Sequence, residues 1–297
     1  MISLDFSGKL ILVTGGGRGI GLAITRALAE AGADIAITYT STDASTVATK
    51  LSTEFNVTVR AYKCDTANSK QVDSSLADIN KEFGKQVDIG ICNAGISLWR
   101  DTHDMADGKS TFELQNMFAV NAFGPIYTAR SLVRSWLDLP IPVPSSEAEY
   151  TPLSTFTQSD KKEGVVVPSP RLKGKQLLFV SSISGLVAMS PQNQAAYNGS
   201  KAALTMMAKS LAGEWAPLGV SVNAISPGYV STEMIANPPD KKAETWVQEW
   251  QSRTPAGHFA SAETLGRFIA LLVSDRAGGS GFMTGSDIVM DGGELGV

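Results

Sequence analysis

Tyr197 and Lys201 stand four residues apart in Tyr197-Asn198-Gly199-Ser200-Lys201. Well upstream, the apolar run Lys9 to Val13 leads into a glycine-rich turn, Thr14-Gly15-Gly16-Gly17-Arg18-Gly19-Ile20-Gly21. On a helix, a spacing of four puts a phenol and an ammonium on one face, about one turn apart. The ammonium can then lower the phenol's pKa and poise it as a proton donor. A glycine-rich turn between a strand and a helix suits a pyrophosphate, because the helix N-terminus offers unpaired N–H groups and glycine lets that backbone approach closely. Together the two features imply redox chemistry on a bound nucleotide.

The elements that must hold these residues can be read from the apolar pattern. Short β-rich runs at 10–14, 34–40, 57–64, 87–92, 176–182, 220–225 and 287–290 alternate with amphipathic stretches at 20–31, 111–137, 195–215 and 262–273. Seven strands with helices between them predict an α/β fold: one Rossmann-type domain over residues 1–297, a doubly wound parallel sheet with helices on both faces. One segment breaks the rhythm. Leu139 to Lys175 carries six prolines among Ser, Thr and a Lys161-Lys162 pair, a long irregular insertion that reads as a surface segment or a substrate lid. Tyr229 to His258, with Met234, Trp246 and Trp250 and with Phe259 just beyond, is a second candidate lid.

At the nucleotide site Gly15, Gly19 and Gly21 give a G-x-x-x-G-x-G spacing rather than G-x-G-x-x-G. Ile20 lies inside the same turn. The second strand ends Tyr39-Thr40-Ser41-Thr42, with no acid before Asp43 to bond ribose hydroxyls. Hydroxyls at Ser41 and Thr42 with Arg18 in the turn could accept a 2′-phosphate that a carboxylate would repel, which predicts NADP(H). The competing reading has Asp43 swing back to the ribose. Asp65 after the third strand could bond the adenine amino group or serve only as a turn residue. Asn93, Ala94 and Gly95 follow the fourth strand, at the sheet edge where such folds bind ligands.

These residues resemble the short-chain dehydrogenases/reductases. The likeness rests on Thr14 to Gly21, Asn93-Ala94-Gly95, Val120-Asn121-Ala122, Ser181-Ser182, Tyr197 to Lys201 and Pro227-Gly228, in the family's order over nearly the whole chain outside 139–175. The resemblance implies Tyr197 as general acid/base and Lys201 as the partner that bonds the nicotinamide ribose and depresses the tyrosine pKa. It further implies Asn121 as anchor of a relay water and Ser182 as donor to the substrate carbonyl. Pro227, Gly228, Val230 and Thr232 resemble the segment that clasps the nicotinamide carboxamide. Ser184 rivals Ser182, since it has the family's usual spacing to the tyrosine, whereas Ser182 ends its strand and precedes Gly185 by three. Further stretches, Ile37-Thr38-Tyr39, Ser182 to Gly185, Gly213 to Ala216 and Phe282 to Gly285, look like the fungal mannitol 2-dehydrogenase and sorbose reductase branch. That likeness implies NADP(H), a ketose or polyol substrate and a homo-oligomer, tetramer or dimer.

Composition bounds the rest. With 297 residues, a net charge of −4 and 18% charged residues, nothing attracts nucleic acid or an anionic membrane in bulk. The N-terminal stretch has no apolar leader-like run and no span of about 18 uncharged apolar residues occurs, so the expected compartment is the cytosol. Cys64 and Cys92 read as small core residues, and no metal site is expected. His103 reads as a surface loop residue, while His258 could touch substrate. Two alternatives accompany the ketose/polyol reading: a ketoreductase of secondary metabolism for a bulkier apolar ketone, and a regulatory protein that binds the nucleotide without turnover.

Overall fold

Leu10–Val13 (β1) is apolar and buried at every position, as a parallel strand covered on both faces must be. The computed structural model describes residues 4–99, 101–104, 111–140, 172–232, 242–275 and 282–296. Asp34–Tyr39 (β2), Val59–Lys63 (β3), Ile89–Cys92 (β4), Gln176–Val180 (β5), Ser221–Pro227 (β6) and Asp287–Met290 join β1 in one parallel sheet. Two short strands intervene, Val230–Ser231 (β7) and Ala260–Ser261 (β8), so Asp287–Met290 is β9. The sheet order is β3-β2-β1-β4-β5-β6-β9. The chain winds outward one way from β1 to β3 and then the other way from β4. The crevice between β1 and β4 is therefore the switch point, where open α/β sheets take ligands at their strand carboxyl ends.

Alternation along β1 assigns its side chains to two cores. Ile11 and Val13 pack with Ile24, Leu28, Ile35, Leu265 and Ile269, while Leu10 and Leu12 pack with Leu132, Trp136, Phe179, Leu204 and Trp215 on the other face. The first face is covered by Gly19–Glu30 (α1), Ser45–Phe55 (α2) and a C-terminal helix, Ala262–Val273. The second is covered by Ser69–Phe83 (α3), Gly124–Trp136 and Ala195–Trp215. Local chemistry sets the ends. The Asn68 side chain accepts from the N–H groups of Lys70 and Gln71 to start α3, and Gly84, at φ +66°, ends it.

Two expectations need correction. The single helix expected over 111–137 is Thr111–Phe118 (α4), a π-helical turn at Ala119–Phe123, and Gly124–Trp136 (α5). Such turns are frequent at functional sites, and this one carries Asn121. In the Tyr229 to His258 stretch the described residues form β7 and then Lys242–Arg253, a helix that follows Ala195–Trp215 (α6) and is therefore α7, ahead of Ala262–Val273 (α8). Residues 233–241, Met234 among them, lie outside the described residues. So do 141–171 of the proline-rich insertion. The end of that insertion is integral to the core, because Leu172 is buried and its N–H donates to the Leu218 carbonyl (2.9 Å), while Lys175 Nζ pairs with Asp88 at 3.0 Å.

Helix α8 crosses α1 at close range. A Cβ on Gly266 would stand 2.5 Å from the Ala23 carbonyl oxygen, so the two helices meet backbone to backbone. Gly266→Val is expected to cost about 1–3 kcal/mol by forcing them apart. A denaturant titration measures it, and an unchanged midpoint would contradict so tight a crossing.

Candidate active site

The glycine turn is fixed by contacts that side chains would break. A Cβ on Gly21 would lie 2.1 Å from the Gly15 carbonyl oxygen, and one on Gly16 2.5 Å from Ile37 Cγ2. Gly15 itself has φ +65°, a conformation open to glycine at no steric cost. The turn is stitched across the switch point to the end of β4. Thr14 Oγ1 accepts from the N–H groups of Asn93 and Ala94, both at 3.0 Å, and Asn93 Nδ2 donates back to the carbonyls of Thr14 (3.0 Å) and Gly15 (3.3 Å). Asn93 thus shapes the cradle by hydrogen bonding the turn. Ile20 opens the exposed end of α1, and Thr232 comes within 4.0 Å of a Cβ built on Gly19.

The end of β2 presents hydroxyls. Gly17 packs against Ala44, so Arg18 and the exposed Ser41 and Thr42 lie on neighbouring segments. The Arg18 guanidinium is exposed and has no partner among the described residues. Asp43 is committed elsewhere: its Oδ1 accepts from Ser45 Oγ (2.6 Å) and Ser45 N (2.9 Å). These bonds, the Ser45 hydroxyl first, hold its carboxyl below the usual range. A carboxylate tied to the start of α2 is poorly placed to turn towards a ribose. Asp65 Oδ1 accepts from Ala67 N at 3.0 Å and so acts as a turn residue.

The catalytic candidates converge on the N-terminal half of α6. Lys201 is 4% exposed, and its Nζ donates to the Val180 carbonyl at 2.9 Å and stands 5.7 Å from the Tyr197 ring centroid. Gly95 leaves space for it, since a Cβ there would be 3.6 Å from that Nζ and 3.3 Å from Asn121 Oδ1. Ser182 caps a short 3₁₀ turn, accepting from Ser184 N at 3.1 Å, and its hydroxyl lies close enough to the Tyr197 phenol to act on that group's pKa. Ser184 is buried and accepts from Gln194 Nε2 at 3.0 Å, whereas Ser182 is the serine whose hydroxyl acts on the Tyr197 phenol. Gly185 allows this, because a Cβ there would sit 2.8 Å from the backbone of Lys201 and Ala202.

Asn121 is fully buried and spends its whole amide within the protein. Oδ1 accepts from Ile96 N (2.8 Å), and Nδ2 donates to Ile96 O (2.8 Å) and Ser200 Oγ (3.1 Å). The side chain therefore ties the β4 loop to α6. Electrostatics depart from expectation at Tyr197. Burial raises its pKa, with the Ser182 hydroxyl acting in the opposite direction. Burial also lowers Lys201 to about 8. Cys64 and Cys92 are both buried and their thiols raised, Cys92 to about 12, as unreactive core residues.

Beyond Tyr197 the strand ends carry an aromatic wall. Tyr229, just after Pro227-Gly228, stacks on Trp250 of α7 at 4.8 Å, and Trp99 meets the edges of Trp250 (5.5 Å) and Trp246 (6.0 Å). Phe259 adjoins Tyr229 at 5.4 Å. Gly228 is needed here because a Cβ would stand 2.8 Å from Asp291 Cα. Val230 is buried in the β7 and β8 pair. His103 is exposed beside Asp104 at 3.7 Å, and His258 is exposed against the Phe259 carbonyl. Sequence reasoning assigned no role to Thr14, Trp99 or Gln192; Thr14 was inside the quoted motif, whereas only the folded chain brings Trp99 and Gln192 to the wall.

Residues 9–140 match the family model for short chain dehydrogenase, and 167–294 match that described as enoyl-(acyl carrier protein) reductase. The chain is 34% identical to sorbose reductase of Candida albicans, over 97% of this chain and 88% of that protein. It belongs to the short-chain dehydrogenase/reductase family. It is also 34% identical to a probable NADP-dependent mannitol dehydrogenase of Yarrowia lipolytica, over 99% of this chain and 90% of the other. Among solved structures, L-sorbose reductase from Gluconobacter frateurii, complexed with NADPH and L-sorbose, superposes with a TM-score of 0.76 at 25% identity, covering all of both chains. The chain is accordingly an oxidoreductase.

Lys201 gives the site a measurable pH signature. Its pKa is about 8 in the folded protein against an ordinary value of 10.5, so between these the unfolded chain binds more protons. Wild-type stability relative to Lys201→Met should therefore rise with pH across that window, by about 3 kcal/mol in all. Denaturant unfolding of both proteins from pH 7 upward measures this, and a constant difference would mean the ammonium is solvated.

Proposed function

We propose that this oxidoreductase interconverts a ketose and a polyol with NADP(H). The observation that carries the reading is the assembly of Tyr197, Ser182 and Lys201 at the carboxyl edge of β5, beside the glycine cradle between β1 and β4. The similarity to sorbose reductase and mannitol dehydrogenases supplies the substrate class. The cradle fits a dinucleotide, since the crowded backbone of Gly15, Gly16 and Gly21 leaves no side chain between α1's N-terminus and a pyrophosphate. Exposed Arg18, Ser41 and Thr42, with Asp43 tied back to Ser45, favour a 2′-phosphate. Asp65, Asn93, Ala94, Gly95, Pro227, Gly228, Val230 and Thr232 would complete the cofactor site. When bound, NADP(H) supplies or accepts the hydride.

The chain's own residues manage the proton. In reduction, the Tyr197 O–H gives its proton to the carbonyl oxygen as that oxygen gains charge, and in oxidation the phenolate takes it back. Ser182 donates to the same oxygen and stabilises its charge. Lys201, held by Val180, supplies positive charge near the phenol and favours the phenolate that forms. Asn121 positions the β4 loop against α6 and anchors the relay that replaces the proton.

The aromatic wall of Trp99, Trp246, Trp250 and Tyr229 favours a second reading, a bulkier apolar ketone as substrate. Consumption of NADPH and NADH with fructose, sorbose, xylulose and several hydrophobic ketones separates the two. Turnover of a ketose with preference for NADPH is expected, and turnover of hydrophobic ketones alone would overturn the polyol reading. Tyr197→Phe should lose about 10²- to 10⁴-fold in turnover while still binding NADPH; wild-type rates would remove Tyr197 as the acid.

Assembly into a homo-oligomer is supported by apolar surface in two places. Leu114, Phe123 and Met206 are exposed on α4, the π-turn and α6, and Phe282 and Val289 are exposed at edge strand β9. Light scattering is expected to give a dimer or tetramer, and a monomer at micromolar concentration would refute it.

A further inference from the structure

Gln192 is a polar residue that the chemistry above does not use. It lies between Ser182 and Tyr197, is 3% exposed, and spends both ends of its amide on the aromatic wall. Its Nε2 donates to the Tyr229 hydroxyl at 2.8 Å, and its Oε1 accepts from Trp250 Nε1 at 2.8 Å. Tyr229 and Trp250 are themselves stacked, 15° from parallel. One amide therefore joins three segments that are far apart in sequence: the catalytic loop after β5, the loop after β6, and α7.

The consequence runs through Trp250. That ring is buried at 1% exposure, and against it lean Trp99 and Trp246, both half-buried and thus the indoles with surface left to offer. Trp250 alone has little purchase on direction, because packing against rings at 5–6 Å tolerates sliding, whereas an N–H aimed at a fixed carbonyl does not. A second tie joins the same partners, Arg253 of α7 donating to the Ser190 carbonyl at 3.1 Å, but it is exposed and so less constraining.

We propose that Gln192 is a positioning residue that clasps α7 to the catalytic loop, and so sets where Trp99 and Trp246 meet the part of the substrate remote from its carbonyl. The proposal rests on the oxidoreductase reading for its kinetic consequence, but not for its structural one. In chemical terms it predicts a site that recognises the substrate's carbon chain against indole faces held at fixed orientation. Buried amide hydrogen bonds, unlike exposed charge pairs, keep that orientation largely independent of salt.

The experiment compares Gln192→Met, which keeps length but makes neither bond, with Tyr229→Phe, which removes one bond and keeps the ring stack. In Gln192→Met the amides of α7 should exchange with deuterium faster, and the near-ultraviolet dichroism of the coupled tryptophans should weaken. KM for the ketone that the wild type turns over best should rise about 10-fold, with kcat changed less than about 3-fold and NADPH affinity unchanged. Tyr229→Phe should show part of each effect, and the double variant no more than Gln192→Met alone. Unchanged exchange and dichroism in Gln192→Met would overturn the clasp, as would a loss of NADPH affinity in step with KM. If Gln192→Met does not fold, Tyr229→Phe decides: unchanged exchange in α7 overturns the proposal. If the wild type reduces no ketone, the functional reading fails, while exchange and dichroism still decide the clasp.

Discussion

A buried ammonium is the constraint around which the catalytic edge is built. Lys201 sits at 4% exposure on α6 with one donor fixed by the Val180 carbonyl at the end of β5. Keeping a cation there is costly, as its lowered pKa records. The surrounding structure limits that cost by bringing backbone close. Gly95 and Gly185 omit side chains where the β4 loop and the serine loop approach the lysine, and Ser181 bonds both the Lys201 carbonyl (3.1 Å) and Thr205 Oγ1 (2.8 Å). Ser182, next in sequence, is thereby delivered to Tyr197.

A second knot, at the switch point, governs the nucleotide side and is made of neutral groups. Thr14 and Asn93 exchange hydrogen bonds across the crevice between β1 and β4, so the loop that carries Gly95 and Ile96 is set by the same residues that shape the glycine turn. Asn121 carries that placement on to α6 through Ile96 and Ser200. The cradle and the proton donor are mechanically one unit. A disturbance at Asn93 would reach both, although it touches neither Tyr197 nor Lys201.

How much of this was legible in the sequence depended on the range of the physics involved. Strands β1, β4 and β5 were plain because a strand buried on both faces must be apolar throughout, and the glycine turn because few other side chains tolerate its φ values and close contacts. Tyr197 and Lys201 were legible because helical spacing is local. The π-turn at Asn121 was not, since it depends on what Asn121 meets in the β4 loop 25 residues away in sequence. The direction of the Tyr197 shift was misread for a similar reason: spacing reveals a neighbouring charge but not the burial that opposes it. Counting could not separate Ser182 from Ser184, because only the folded chain shows that Gln194 bonds the Ser184 hydroxyl.

The aromatic wall was the least legible part, and it is also the part where relatives of one fold can diverge in substrate. Its five rings come from the loop after β4, the loop after β6, α7 and the segment before β8, so no sequence window contains more than a fragment of it. The proposed proton chemistry needs only the few residues around α6, where the Val180 carbonyl holds Lys201 and Ser181 bonds the Lys201 carbonyl and Thr205. The indoles that would set selectivity stand apart from these residues, Trp99 on the loop after β4 and Trp246 on α7, and a buried glutamine ties α7 to the loop after β5. Separating the two lets the wall change with little penalty to the acid, provided the tie is kept.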